Sequence, residues 1–123
     1  VSLVRCKIND QPYALKQLDK RELAMHNRVQ HLLREKDLMN KCHHHNIVRL
    51  ESTFKDEDSC YFCLEYHPIG DLASFIQKRK KLSQSLTRFY AKEIINVLQY
   101  FRKHNIVHRD MKPENILIDA DFH

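Results

Sequence analysis

Glycine is nearly missing from this 123-residue chain: there is one, Gly70. A single glycine excludes any GxGxxG turn or P-loop within these residues, since both need several positions where the backbone closes on a phosphate. Long apolar runs are also missing. None approaches the ~18 residues that span a bilayer. The opening Val1-Ser2-Leu3-Val4-Arg5-Cys6-Lys7 is too charged and too short in apolar residues for a secretory signal. Without export, the four cysteines are expected as reduced thiols, in the cytoplasm or nucleus. A Val rather than a Met at position 1 suggests a fragment or a processed product.

What is present is enough for a folded core. Apolar residues make up 42% and charged residues 30%, which excludes a disordered chain. The formal charge of +5, with nine histidines besides, permits anionic partners but is modest, because sixteen acidic residues are interspersed with the basic ones.

The pattern predicts strands over 1–8 and 13–18, joined through the turn residues Asn9-Asp10-Gln11-Pro12. A helical period follows, with Met25, Val29, Leu32, Leu33 and Met39 on one face and an end near 40–42. Ile47-Val48-Arg49-Leu50 and Cys60-Tyr61-Phe62-Cys63-Leu64 read as two more strands around a polar turn at 55–58. Four strands in a meander with one inserted helix make an α+β pattern. Residues 66–70 are the expected boundary to a helical half. There Asp71 caps a short helix through Arg79, and a longer helix over 85–103 carries the stripe Leu86, Tyr90, Ile94, Val97 and Phe101. The run Lys78-Arg79-Lys80-Lys81 reads as a solvated helix end rather than a nucleic-acid patch.

The strongest chemical signal is His108-Arg109-Asp110-Met111-Lys112-Pro113-Glu114-Asn115. It resembles the HRDxKxxN catalytic loop of eukaryotic protein kinases. The order of the remaining motifs agrees. Tyr13-Ala14-Leu15-Lys16 resembles the VAIK strand, and Glu35 sits where the family keeps its helix glutamate. His44-His45-Asn46-Ile47-Val48 resembles HxNIV. Leu64-Glu65-Tyr66-His67 with Gly70-Asp71-Leu72 resembles the hinge. Lys112 marks the serine/threonine form, and Arg34–Met39, 54–57 and 87–90 are similar to the AGC group, to its phosphoinositide-dependent branch in particular. The resemblance implies a truncated bilobal kinase-like α+β fold, with a partial sheet-rich N-lobe over 1–66 and the hinge and start of the C-lobe over 67–123.

It also implies a serine/threonine kinase using ATP and Mg²⁺ on protein substrates. Phosphoryl transfer needs positioning and charge neutralisation more than covalent chemistry. By resemblance Lys16 holds the α- and β-phosphates and Glu35 steadies it. Asp110 takes the substrate hydroxyl, Lys112 the γ-phosphate, and Asn115 offers Mg²⁺ an amide oxygen. Val1, Ala14 and Leu117 enclose adenine with Leu64 as gatekeeper, the backbones of Glu65 and His67 bond it, and Asp71 reaches the ribose. His108 belongs to an internal stack with Met39 and Leu50. Arg109 with Arg34 suits an activation-loop phosphate, and Val29, Leu32, Thr53, Lys55 and Cys60 match a groove for a hydrophobic-motif peptide. Glu114 and Asp71 lean toward basic substrates.

Three competing readings stand beside this one. Cys60 and Cys63, with Cys42, His43, His44 and His45, have the composition of a zinc site, but residues three apart on a strand face opposite ways. A basic nucleic-acid module lacks interleaved aromatics, and no such partner is expected. The serious rival is a kinase-derived chain that binds or scaffolds without catalysing, since residues 1–123 contain neither the Gly-rich loop nor the DFG aspartate. The isolated chain is expected to be inactive.

Overall fold

A computed structural model describes residues 1–123. The chain divides into two compact units, Val1–Tyr66 and His67–His123.

The first unit is a four-stranded antiparallel sheet with two helices. Its strands are β1 (Ser2–Arg5), β2 (Pro12–Asp19), β3 (Leu50–Lys55) and β4 (Ser59–Glu65), in the order β1-β2-β4-β3. This corrects the simple meander. β4 returns past β3 to pair with β2, because it carries the unit's most apolar strand sequence and is there paired on both edges. Phe62 is buried there, and buried Ser59 accepts a hydrogen bond from the Gln17 side chain at 3.0 Å. Asp56 closes the β3–β4 turn by accepting from the amides of Asp58 and Ser59 and from the Tyr61 hydroxyl. The third expected strand also shifts. Residues 47–49 lie outside it, because His44 takes the amides of Asn46 and Ile47 into a turn, and β3 begins only at Leu50.

The expected single helix is two, α1 (Lys20–Met25) and α2 (Val29–Lys41). Asp19 caps α1 by accepting from the amides of Arg21 and Glu22. The break follows from Asn27, which adopts φ 51°, a left-handed conformation that asparagine tolerates. The amides of Asn27 and Arg28 then fold back onto the carbonyls of Ala24 and Leu23. Met25 therefore does not share the apolar face of α2; it is 80% exposed.

The second unit holds β5 (Gly70–Asp71), α3 (Leu72–Arg79), α4 (Gln84–Lys103), a 3₁₀ turn at Pro113–Asn115 and β6 (Leu117–Ile118). Gly70 has φ +88°, a conformation that costs any other residue strain. That bend lets β5 pair antiparallel with β6, a two-stranded sheet that the pattern did not foretell. Asp71 caps α3 and Ser83 caps α4, by accepting from the amides of Ser74 and Leu86. The α4 stripe is as expected, with Tyr90, Val97 and Phe101 buried. The core gathers Leu72, Phe75, Tyr90 and the fully buried Ile118. By the usual area scale each such side chain contributes roughly 2–3 kcal/mol.

Candidate active site

In the first unit, the β2–β4 register sets Ala14 opposite Leu64 and Lys16 opposite Phe62. Cross-strand partners share a sheet face, and so do residues two apart, so all four lie on one face. From α2, Glu35 reaches that face and its Oε1 accepts from Lys16 Nζ at 2.8 Å. The same ammonium lies 5.8 Å from the centroid of the Phe62 ring. The pair spans nineteen residues of sequence and is made by the fold.

In the second unit, the loop after α4 folds back on itself. Asn115 Nδ2 donates to both the backbone carbonyl and Oδ2 of Asp110, at 2.9 Å each. Lys112 Nζ lies 3.0 Å from the same Oδ2. Arg109, just before Asp110, stands at φ 69°, in the left-handed region. The Asp110 carboxyl is held below its ordinary 3.8, first by the Lys112 hydrogen bond and next by Asn115. Since Asn115 turns its nitrogen to Asp110, the opposite arm of the amide is an oxygen. That is the donor type a hard divalent cation takes, so the residue fits Mg²⁺.

Other expected residues have plainer surroundings. Asp71 spends both carboxylate oxygens on Ser74, accepting from its amide and its hydroxyl at 2.8 Å each. An ionised carboxylate keeps further lone pairs beyond these two bonds. These bonds, the Ser74 amide first, hold its carboxyl below the ordinary value. The His67 carbonyl accepts from Gly70 at 3.3 Å, and the Glu65 amide donates to Arg49 at 3.0 Å. Leu117 is half-exposed and Val1 almost wholly so. Arg34 is exposed. Leu32, Thr53, Lys55 and Cys60 do line a groove, of about 360 Å³, beside the stacked rings of Phe54 and Tyr61; Val29 does not line it. Cys60 and Cys63 both fall in β4, three residues apart.

Two details go beyond the sequence reading, which gives His108 as a packing residue of an internal stack and does not name Phe62 as a site residue. His108 accepts the Asp110 amide on Nδ1 at 3.3 Å, and its ring lies 6.0 Å from that of Phe101. It therefore ties the loop at 108–115 to α4, a role that a His two residues before an Asp could have signalled. The second is Phe62, whose ring supports Lys16 and whose place opposite it is set only by register.

Comparison with known proteins agrees with this geometry. The family described as protein kinase domain matches residues 1–123. The chain belongs to the protein kinase family. Over all 123 residues it is 40% identical to human 3-phosphoinositide-dependent protein kinase 1, of which it covers 22%. Over 111 residues it is 43% identical to the Saccharomyces cerevisiae serine/threonine-protein kinase PKH2, matching 89% of this chain and 10% of that protein. It is 41% identical over 111 residues to the Dictyostelium discoideum cAMP-dependent protein kinase catalytic subunit, matching 90% of this chain and 17% of that one. The chain thus spans about a fifth or less of the length of these relatives. These likenesses support the AGC-like resemblance.

Proposed function

We propose that these residues form the central part of a serine/threonine protein kinase that transfers the γ-phosphate of ATP to Ser or Thr hydroxyls of proteins. The observation that carries the reading is the closed arrangement of Asp110, Lys112 and Asn115. Its chemistry suits the reaction. Asp110 is an ionised carboxylate at neutral pH, able to orient and accept the hydroxyl proton. Lys112 places a cation beside it for the transferring phosphoryl oxygens. Lys16, steadied by Glu35, holds the α- and β-phosphates. Asn115 would give Mg²⁺ one oxygen ligand; when bound, the ion neutralises phosphate charge. Ala14 and Leu64, with Val1 and Leu117, enclose the adenine, the backbones of Glu65 and His67 bond its edge, and Asp71 takes the ribose. In this reading residues 1–66 belong to the N-lobe and 67–123 to the hinge and C-lobe. Glu114 and Asp71 favour substrates with basic residues.

The 123 residues by themselves do not transfer phosphate in this reading. They hold one glycine and, in Asn115, one metal ligand, and a lone amide oxygen does not retain Mg²⁺. The test is phosphate transfer from labelled ATP to a basic peptide. A catalytic domain containing residues 1–123 should be active and lose activity in Asp110→Asn, while the isolated chain should be silent. Activity of the isolated chain that Asp110→Asn abolishes would overturn the second statement; an active domain indifferent to Asp110→Asn would overturn the first.

A non-catalytic binding role is the second reading. It is favoured by the apolar surface of the second unit, where Ile95, Leu98, Val107 and Met111 are exposed. The groove lined by Leu32, Thr53, Lys55 and Cys60 supports docking of a hydrophobic-motif peptide, for which saturable fluorescence anisotropy with such a peptide is the check. The four cysteines are free thiols, which supports a reducing compartment, the cytoplasm or nucleus.

A further inference from the structure

The connector between α3 and α4 combines three features that the catalytic reading leaves unused. Lys78, Arg79, Lys80 and Lys81 are four consecutive exposed cations. Two residues on, Ser83 is exposed, with an extended backbone at φ −67° and ψ 157°. Residues 80–83 lie outside both helices, and Lys80 holds φ 64°, a strained conformation for a lysine. A hydroxyl in extended chain just behind a block of positive charge is what a kinase site lined with carboxylates can seat, because the strand-like stretch offers its backbone and the cations find paired acids.

We propose that Ser83 is a phosphorylation site, modified by a serine/threonine kinase that selects cationic substrates. Ser83 Oγ forms a bond to the γ-phosphorus of ATP, and the bond from that phosphorus to the β,γ-bridging oxygen breaks. ADP leaves with that oxygen, and the hydroxyl proton passes to the modifying kinase's base. Neighbouring hydroxyls are less suited. Thr87 lies within α4 and donates its hydroxyl to the Ser83 carbonyl at 3.0 Å, and Ser85 lies in the first turn of α4. The product has a local effect. Ser83 Oγ accepts from the Leu86 amide, and the first turn of α4 contains no carboxylate. A dianionic phosphate here lies beside the first-turn amides at the positive end of a twenty-residue helix and near the Lys80–Lys81 pair in sequence. Phosphorylation therefore stiffens α4, the helix that carries Tyr90, Val97 and Phe101 into the core.

The experiment incubates the full 123-residue chain with ATP and the catalytic subunit of cAMP-dependent protein kinase, and maps phosphate by mass spectrometry. The expected result is one phosphate per chain on Ser83. It is lost in Ser83→Gly, a residue tolerated at a helix start, and slowed about tenfold or more in the double variant Lys80→Glu, Lys81→Glu. The phosphorylated chain should melt roughly 2–5 °C higher, with the gain shrinking in about 0.5 M salt. Phosphate on Ser85 or Thr87 instead, no phosphate at all, a rate indifferent to the charge reversal, or an unchanged melting point each overturns the proposal.

Discussion

Removing the Glu35 carboxylate separates what the Lys16–Glu35 pair does for stability from what it does for chemistry. The two groups meet at 2.8 Å, but their side chains are 32% and 44% exposed. Water therefore screens the attraction, and pairs of this kind contribute about 0.2–1 kcal/mol once side-chain entropy is counted. Glu35→Ala sits inside α2, where alanine is the best helix former, so helix propensity offsets part of that loss. The unfolding free energy should fall by less than about 1 kcal/mol in urea. The ammonium, by contrast, keeps only the Phe62 ring, 5.8 Å away, as a guide. A cation–π contact of about 0.5–1 kcal/mol does not confine a four-carbon side chain to one rotamer. A misplacement of ~1 Å at a reacting group costs about 10²-fold in rate. Phosphate transfer by a catalytic domain carrying residues 1–123 should then drop about 100-fold in Glu35→Ala, and less in Glu35→Gln, which keeps an acceptor for Lys16. Activity within about threefold of the parent, or a stability loss above about 2 kcal/mol, would refute the reasoning.

Three further outcomes follow from the second unit. The folded Asp110 carboxyl titrates below 3.8, so its contribution to stability is present above that value and lost as pH falls through the lowered one. The carboxyl-carbon NMR titration should show this, Lys112→Ala should move the midpoint back up, and a parent midpoint at or above 3.8 would contradict it. Ile118, 0% exposed, should cost about 2–5 kcal/mol as Ile118→Ala and about 0.5–1.5 as Ile118→Val in urea unfolding; an Ala variant losing under about 1 kcal/mol would mean that the core is not built around it. The Tyr90 hydroxyl is buried with no hydrogen-bond partner, and burial pushes its ionisation up. Tyr90→Phe should be neutral or stabilising by about 1 kcal/mol, and a destabilisation above about 1 kcal/mol would reveal a partner for that oxygen.

The parts of this molecule that could be read from sequence are those closed by nearby residues. Asp110, Lys112 and Asn115 lie within one turn, so the motif and its geometry are nearly the same information. The cap at Asp71 is likewise fixed within three residues, whereas the Ser83 cap that starts the longer helix at Gln84 was not foreseen. What failed needed a competition between distant partners. Met25 fits the period of α2 perfectly well as a pattern, but the pattern does not record that Asn27 can stop a helix by turning left-handed, and that stop wins. Strand alternation identifies β3 and β4, yet both orders of the sheet satisfy it; only the apolar pairing of β4 along both edges selects the observed one. The same holds for the site. Residue type marked Lys16 and Glu35 through their resemblance to a family, whereas Phe62, which has no motif of its own, is placed beneath Lys16 solely by the β2–β4 register. A one-residue slip of that register would turn Phe62 to the other face and leave Lys16 with Glu35 alone. Support of this kind is set by topology, and a single sequence without its pairing partners does not contain it.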